Sequence, residues 1–291
     1  MVACTMEAFE DEPIKGFSVD RFQYGMQLKV FGRRKFSSAT TPWEFQDPTE
    51  YYVGCLKSPP PTLPSLFALS WHLQQPPPEE LRFPLWWDVF KDLPQGRELF
   101  FTTSTELLDC RGITYDVLTS IMRSNPSLTA ATAMDRDSYI GLWDDCINRI
   151  ISKFCSIEMV FVQKSSLSLA ETVQDQWPNV TAFLRNLCLW RGEETDQLRG
   201  QLDPSSSIVE KFLWSYMDLP YVLGYYAVTF CVLSRSQDRI IRTDLYTLDL
   251  STPVERLKAL VPCWRIAGLL PLLADKCFHY GSNFPCTDRF E

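Results

Sequence analysis

The residues with the clearest chemical potential lie within residues 177–195, WPNVTAFLRNLCLWRGEET. This stretch runs from a Pro-Asn pair through apolar, strand-like sequence and ends on two adjacent carboxylates, Glu193 and Glu194. Acidic side chains are seldom fully buried unless they are paired, so two of them at the end of a strand are badly placed for a core. They are well placed to meet a metal ion or another ligand.

A helical stretch upstream supplies further acids. Asp144 and Asp145 follow Trp143, and if the apolar face of this helix packs on a sheet, one carboxylate can lie at the edge of that face. Asn179 opens one strand and Glu193 closes the next, so oxygens from three elements can converge at one end of a sheet. A simpler interpretation stays open, in which the aspartates lie on a solvated helix face and the glutamates begin a polar loop.

Converging oxygens of this kind are typical of a Mg²⁺ site, since Mg²⁺ prefers carboxylate ligands and keeps several waters. Such an ion polarises a phosphoryl group and lowers the pKa of a bound water, as phosphodiester hydrolysis requires. The predicted ligands are Asp145, Asn179, Glu193 and Glu194. Because side chains alternate along a strand, Arg191 and Glu193 share one face while Gly192 and Glu194 take the other.

Periodicity and turn signals predict the elements that must position these residues. They are a helix over 137–154, a strand over 156–167, a hairpin of strands over 180–186 and 187–194, a helix over 205–216, strands over 225–235 and 240–250, and a helix over 251–273. The order α-β-β-β-α-β-β-α predicts an α/β domain with a mixed central sheet flanked by helices.

The first part of the chain has a different composition. Residues 1–105 are rich in proline and aromatics, with SPPPTLP at 58–64 and QQPPPEELRFP at 74–84. Proline lacks a backbone donor and restricts the residue before it, so these runs are expected to be extended connections. We therefore predict an N-terminal region over 1–105, either a small separate unit or an arm packed on the body, and an α/β domain over 106–291.

Charge and cysteine usage restrict the class of protein. A formal net charge of -8 argues against a generally basic nucleic-acid-binding protein, although a local positive groove can persist in an acidic chain. The ten cysteines show no repeated CxxC spacing, which indicates buried free thiols in a reducing compartment. No basic segment followed by an apolar one marks a signal peptide, and no apolar run reaches the roughly 20 residues of a membrane span. An intracellular, soluble protein is expected.

Three blocks in this order resemble a known family. The element order, with an acidic first helix, a Pro-Asn at the second strand and paired glutamates on the third, resembles the restriction-endonuclease-like, PD-(D/E)XK, nucleases. More closely, SYIGLWDDCINRI, WPNVTAFLRNLCLWRGEE and PYVLGYYAVTF resemble the nuclease-like domain of crinkler-type effectors, whose members carry RGEEK-like and GYYAV-like strands. Over residues 137–273 the resemblance implies a restriction-endonuclease-like fold, a Mg²⁺-dependent deoxyribonuclease and a nuclear location.

The chain departs from that family at two positions. Asn179 stands where the superfamily has Asp, and Thr195 stands where a Lys should follow the carboxylates. Asn can ligate weakly through its carbonyl oxygen but brings no charge, and Thr cannot orient an attacking water as an ammonium can. Lys164 on the first strand or Lys211 on the second helix is the candidate replacement for the missing cation.

Two functions follow from these residues. In the first, the chain is a nuclease acting on DNA, with Mg²⁺ held by Asp145, Asn179 and Glu193 and with Lys164 or Lys211 assisting the water. In the second, it is a catalytically dead pseudo-nuclease that needs no metal and binds nucleic acid or a nuclear protein, with the proline-rich region as a partner arm. The two hypotheses differ in the charge that they require at the metal site. The sequence leaves the oligomeric state open.

Overall fold

A computed structural model describes most of the chain outside its N-terminus. The described residues are 4–5, 30–31, 48–104, 113–122, 143–163, 178–193, 203–212, 214, 219–227, 229–237 and 239–281. Two predicted site residues, Lys164 and Glu194, lie outside them, as does Thr195.

Contacts divide the chain into two units, Met1–Gln46 and Asp47–Glu291. In the first unit, strands β1 (Cys4–Thr5) and β2 (Val30–Phe31) form a short parallel pair. The second unit contains the central sheet and every described residue of the predicted site.

The second unit is a mixed α/β structure built on one six-stranded sheet. A separate parallel pair joins β3 (Phe83–Trp86) and β4 (Phe101–Ser104). The six strands of the central sheet, adjacent in chain order, are β5 (Val160–Gln163), β6 (Val180–Leu184), β7 (Leu187–Glu193), β8 (Val222–Tyr226), β9 (Thr229–Ser236) and β10 (Arg239–Thr247). Each neighbouring pair is antiparallel except β7 and β8, which are parallel. The prediction of a mixed central sheet is thus confirmed.

Helices flank this sheet. They are α1 (Pro48–Leu56), α2 (Leu69–Leu73), α3 (Trp87–Asp92), α4 (Thr119–Met122), α5 (Arg149–Phe154), α6 (Pro204–Glu210), α7 (Pro253–Lys258) and α8 (Leu260–Gly281). A π-helical turn over Thr114–Leu118 precedes α4, and a second one over Asp144–Asn148 precedes α5. The predicted helix over 251–273 divides into α7 and α8, and Pro253 occupies the first turn behind the Thr252 cap.

Two tight turns connect the strands around the predicted site. Arg185 and Asn186, with φ of 46° and 67°, form the two-residue turn between β6 and β7 that the sequence predicts. The predicted single strand over 225–235 is wrong, because the chain reverses after Tyr226 and returns as β9. Ala227 takes a φ of 45° there; its N–H donates to the Glu193 carbonyl at 2.8 Å, and its own carbonyl accepts from the Trp143 indole.

Residues 48–104 share a core with the later elements. The Trp264 indole in α8 donates to the Leu56 carbonyl at 2.7 Å, and the Tyr221 hydroxyl donates to the Pro64 carbonyl at 3.1 Å. The predicted domain boundary near residue 105 falls in 105–112, outside the described residues. On both sides of that gap, the buried side chains belong to one hydrophobic cluster.

The C-terminal helical segment is the structural centre of this cluster. Pro253–Cys277 contains an 18-residue stretch with a mean hydropathy of 1.5 and is the one segment of the described residues long and apolar enough to cross a membrane. Its most apolar window is 78% buried inside the protein, with Leu260, Ile266 and Leu270 among its fully buried side chains. The apolar surface of this helix is therefore used by the core.

The cysteines with described side chains are free thiols, as predicted. Most of them are buried, and burial raises the pKa of Cys146 and of Cys231 to about 12. Because the thiolate is the reactive form, these thiols behave as small apolar side chains.

Candidate functional site

Glu193 ends β7 on the face of the sheet that α6 covers. It pairs in register with Tyr226 of β8, and Arg191 lies two residues earlier on the same face. Trp190 and Gly192 take the opposite face, so the predicted alternation is observed. Glu193 is only 2% exposed, and it does not begin a solvated loop.

The Glu193 carboxylate is bonded by three donors. The Lys211 ammonium lies 3.1 Å from Oε1 and 3.2 Å from Oε2, and this lysine side chain is itself only 16% exposed. The Ser207 hydroxyl and the Asn179 backbone N–H donate to the same carboxylate. Such charge-assisted bonds are the strong ones in proteins, and here they satisfy both oxygens of a buried acid.

The α6 crossover between the parallel strands β7 and β8 delivers two of these donors. Asp203 caps the helix by accepting from the Ser205 N–H at 3.3 Å, and Pro204 occupies the first turn. Ser207 and Lys211 are four residues apart, which places both on the side of α6 that faces the sheet. The backbone N–H of Lys211 donates to the Ser207 carbonyl at 3.0 Å and closes the last turn.

Close packing of α6 on the sheet depends on Gly224 of β8. A Cβ at this position would lie 2.7 Å from the Arg191 carbonyl oxygen and 3.3 Å from the Ile208 side chain of α6. Glycine in a strand marks a close approach of this kind. The absent side chain lets α6 reach Glu193.

Arg191 fixes the end of the same helix. Its guanidinium lies 4.3 Å from the centre of the Phe212 ring and donates to the Lys211 carbonyl at 3.2 Å. Its Nε also contacts the Cys188 sulfur at 3.2 Å. Arg191 therefore positions the backbone of Lys211, whose ammonium reaches Glu193.

Burial dominates the electrostatics of Glu193. Removal from water raises the pKa of Glu193, while Lys211, and then the hydrogen bonds from Ser207 and the Asn179 backbone, lower it. The pKa remains above the ordinary glutamate value despite these three partners. The nearby ammonium favours the ionised form of this carboxylate.

Asn179 meets Glu193 at the entrance of β6. Val180 pairs with Gly192 across the two strands, so the preceding residue lies beside Glu193 on the α6 face. The contact with the carboxylate uses the backbone N–H of Asn179. Three of the predicted site residues, Glu193, Asn179 and Lys211, thus come together.

The acids of the first helix lie at the same end of the sheet but on its other face. Asp144 accepts from Gln163 of β5 at 3.1 Å, and burial is the main cause that raises its pKa. Asp145 pairs with Arg149 one turn later at 3.6 Å. The sheet therefore separates Asp145 from Glu193.

A buried polar network holds this helix on the sheet, and the sequence did not reveal it. The Trp190 indole donates to the Asn148 side-chain oxygen at 2.9 Å, and the Asn148 amide donates to the Tyr225 hydroxyl at 3.3 Å. Gly192 makes room for the Tyr225 ring. The available signal is Gly192, a glycine inside β7.

Among the described residues, Glu193 offers Mg²⁺ no open ligand. Within the described parts of the chain, no three Asp, Glu, His or Cys side chains are grouped to hold a metal. Mg²⁺ is usually held through one or two carboxylates that offer it lone pairs, whereas Glu193 offers its oxygens to an ammonium, a hydroxyl and an N–H. The predicted ligand Glu194 and the predicted catalytic Lys164 fall outside the described residues.

Comparisons with known proteins test whether this arrangement has recognised counterparts. No family model, curated protein or solved structure matches the chain. The resemblance to crinkler-type nucleases stays a prediction carried by its three sequence blocks.

Proposed function

We propose that this chain is a catalytically inert, nuclease-like module that binds nucleic acid, with DNA as the class that the sequence resemblance implies. The observation that carries the proposal is the Glu193–Lys211 ion pair, in which the ammonium contacts both carboxylate oxygens. In a restriction-endonuclease-like site, the equivalent carboxylate would bind a metal ion.

The ion pair occupies the acid that the resemblance assigns to a metal ion. A divalent cation at Glu193 would lie beside the Lys211 ammonium, and two cations at one buried carboxylate repel each other. Asn179 adds no negative charge, and Asp145 is neutralised by Arg149 on the other face. The described residues of the site therefore bring no excess negative charge to attract Mg²⁺.

Local charge supports a polyanionic partner. Two exposed arginines, Arg235 and Arg239, lie on β9 and β10 in a chain whose formal net charge is -8. A cationic region on an acidic protein can still bind phosphates, because electrostatic attraction is governed by the nearest charges within a Debye length. Phosphate contacts supply most sequence-independent affinity for nucleic acid.

The first prediction concerns metal binding and cleavage. Calorimetric titration of the wild type with Mg²⁺ and Mn²⁺ should show no binding at Glu193, and supercoiled plasmid should stay intact on the same samples. The Glu193→Gln variant should behave identically in both assays. The physical reason is that Lys211 already neutralises the carboxylate.

The control for this experiment is Asp88→Asn, which removes an exposed carboxylate paired with Lys91 at 2.5 Å. Nicking that persists in every variant would come from a contaminating nuclease. Metal binding and nicking that are both present in the wild type and in Asp88→Asn, but lost in Glu193→Gln, would establish a working nuclease and contradict the proposal.

A protein partner is the second candidate, and one surface favours it. Phe67 and Trp71 are 97% and 67% exposed, four residues apart in the helical turn that leads into α2. Exposed aromatic side chains are enriched at protein interfaces. This candidate replaces the first if the purified wild type binds no nucleic acid.

A further inference from the structure

The hairpin of β9 and β10 projects beyond the rest of the sheet. β8 begins at Val222, opposite Leu233, so residues 234–236 of β9 pair with β10 alone. Three residues on each strand extend about 10 Å at the usual rise of a strand. We call residues 234–243 the β9–β10 arm; its base is formed by Arg242 and Thr243, which pair with Leu233 and Val232.

The arm carries positive charge in an acidic protein. Residues 234–243 contain three arginines, Arg235, Arg239 and Arg242, and one acid, Asp238. Arg235 and Arg239 are exposed, whereas Arg242 is partly buried against the Tyr226 ring and the Asp244 carboxylate. The tip of the arm is therefore a local cationic surface.

Strand register distributes these arginines over both faces of the arm. Arg235 pairs with Ile240, and Arg239 pairs with Ser236. Because side chains alternate along β10, Arg242 shares a face with Arg235 while Arg239 points to the other. The Arg235 Nε donates to the Gln237 carbonyl at 3.0 Å, which holds this guanidinium at the tip.

The shape of the arm suits a duplex groove. A two-stranded ribbon fits the major groove of duplex DNA, which is about 12 Å wide. Cations on both faces of such a ribbon can reach the phosphates on both sides of the groove. The exposed Ser236, Gln237 and Thr243 add polar groups that hydrogen-bond to phosphates or base edges.

The arm and the Glu193 site lie at opposite ends of the sheet. β7 and β8 run toward Glu193 and Tyr226, and β9 runs back from there to Ser236. Binding through the arm therefore requires neither the carboxylate nor its lysine.

We propose that the β9–β10 arm is the nucleic-acid contact of this protein, entering the groove of a duplex with Arg235 and Arg239 against the phosphates. The inference rests on the proposed binding function, which it makes specific to one surface. A chain of net charge -8 can bind a duplex in this way, since the arm presents its charge at one end of the sheet.

The test is fluorescence anisotropy of a labelled DNA duplex of about 20 base pairs at several salt concentrations. The double variant Arg235→Glu/Arg239→Glu should bind at least about tenfold more weakly than the wild type. The neutral variant Arg235→Gln/Arg239→Gln should reduce the slope of log affinity against log salt by about 2, since each lost phosphate contact removes about 0.9.

The matched control is Lys91→Glu/Lys276→Glu, which makes the same change in net charge at exposed lysines outside the arm. It should change the affinity by less than about threefold. Thermal unfolding followed by circular dichroism should show unchanged melting for all the variants, because the substituted side chains are exposed.

The possible outcomes separate the two proposals. Equal weakening in the arm variant and in the lysine control would overturn the arm as the contact and leave the binding function in place. Unchanged binding in the arm variant would do the same. A wild type that binds no duplex at low salt would overturn both.

Discussion

Replacement of Lys211 by Met will destabilise the fold by about 3–5 kcal/mol, the usual cost of removing one partner of a buried ion pair. The variant leaves the Glu193 carboxylate 2% exposed with no counter-charge, and the Ser207 hydroxyl and Asn179 N–H cannot replace an ammonium. Urea unfolding followed by tryptophan fluorescence measures the change in free energy. Lys276→Met, at an exposed lysine, is the matched control and should change stability by under about 0.5 kcal/mol.

The loss of folding stability in Lys211→Met should depend on pH in a defined direction. Burial raises the pKa of Glu193 above its value in the unfolded chain. This residue therefore stabilises the folded state at low pH, and the stabilisation is lost as pH rises through the folded pKa. Lys211 holds that pKa down, and its removal raises the pKa further. The variant should therefore be close to the wild type at about pH 4 and much less stable at about pH 8.

A second substitution tests whether the unpaired charge of Glu193 causes the loss of stability. Glu193→Leu in the Lys211→Met background removes the unpaired charge and should recover much of the lost stability, since buried ion pairs are often replaceable by apolar side chains. Equal stability of Lys211→Met and wild type at about pH 8 would contradict the buried ion pair.

Substitution of Gly192 by Ala will destabilise the protein by about 3 kcal/mol through overpacking. The new Cβ would lie 2.3 Å from two ring atoms of Tyr225, a fully buried side chain. The ring cannot move freely, because it packs on Trp190 at 5.5 Å and its hydroxyl accepts from Asn148. Chemical and thermal unfolding measure the effect.

The same experiment has a control in α1. A Cβ at Gly54 meets no atom within 4 Å, so Gly54→Ala should be neutral or stabilise the helix by about 0.5–1 kcal/mol. A Gly192→Ala protein as stable as wild type would show that Tyr225 shifts without cost, contrary to the close packing seen here.

The sequence predicts the local parts of this fold better than their packing. Turn residues located the β6–β7 hairpin, and period-two alternation placed Arg191 and Glu193 on one face. The β8–β9 turn was missed because GYYAVTF contains no turn residue where the chain reverses. Ala227 adopts positive φ there because Glu193 and Trp143 hydrogen-bond to its backbone, and these partners are distant in sequence.

The candidate site shows the same limit. Helical periodicity identifies the apolar side of the first helix, but it cannot tell on which face of the sheet that helix packs. Asp145 was therefore grouped with Glu193, from which the sheet separates it. Lys211 was named as one of two replacement cations, and only the crossover of α6 shows that its ammonium reaches Glu193.

Composition alone also does not predict how the first hundred residues pack. Proline-rich runs predict extended connections, yet Phe83 inside the second run is fully buried in the common core, as are Leu69 and Phe100 outside the runs. The pattern of apolar and polar residues over such short segments does not show which distant helix will pack on them.

The Glu193–Lys211 pair also restricts how this protein can evolve. Each residue compensates the buried charge of the other, so a single substitution at either position leaves an unpaired charge in a buried site. Strong epistasis between the two codons is therefore expected at this site.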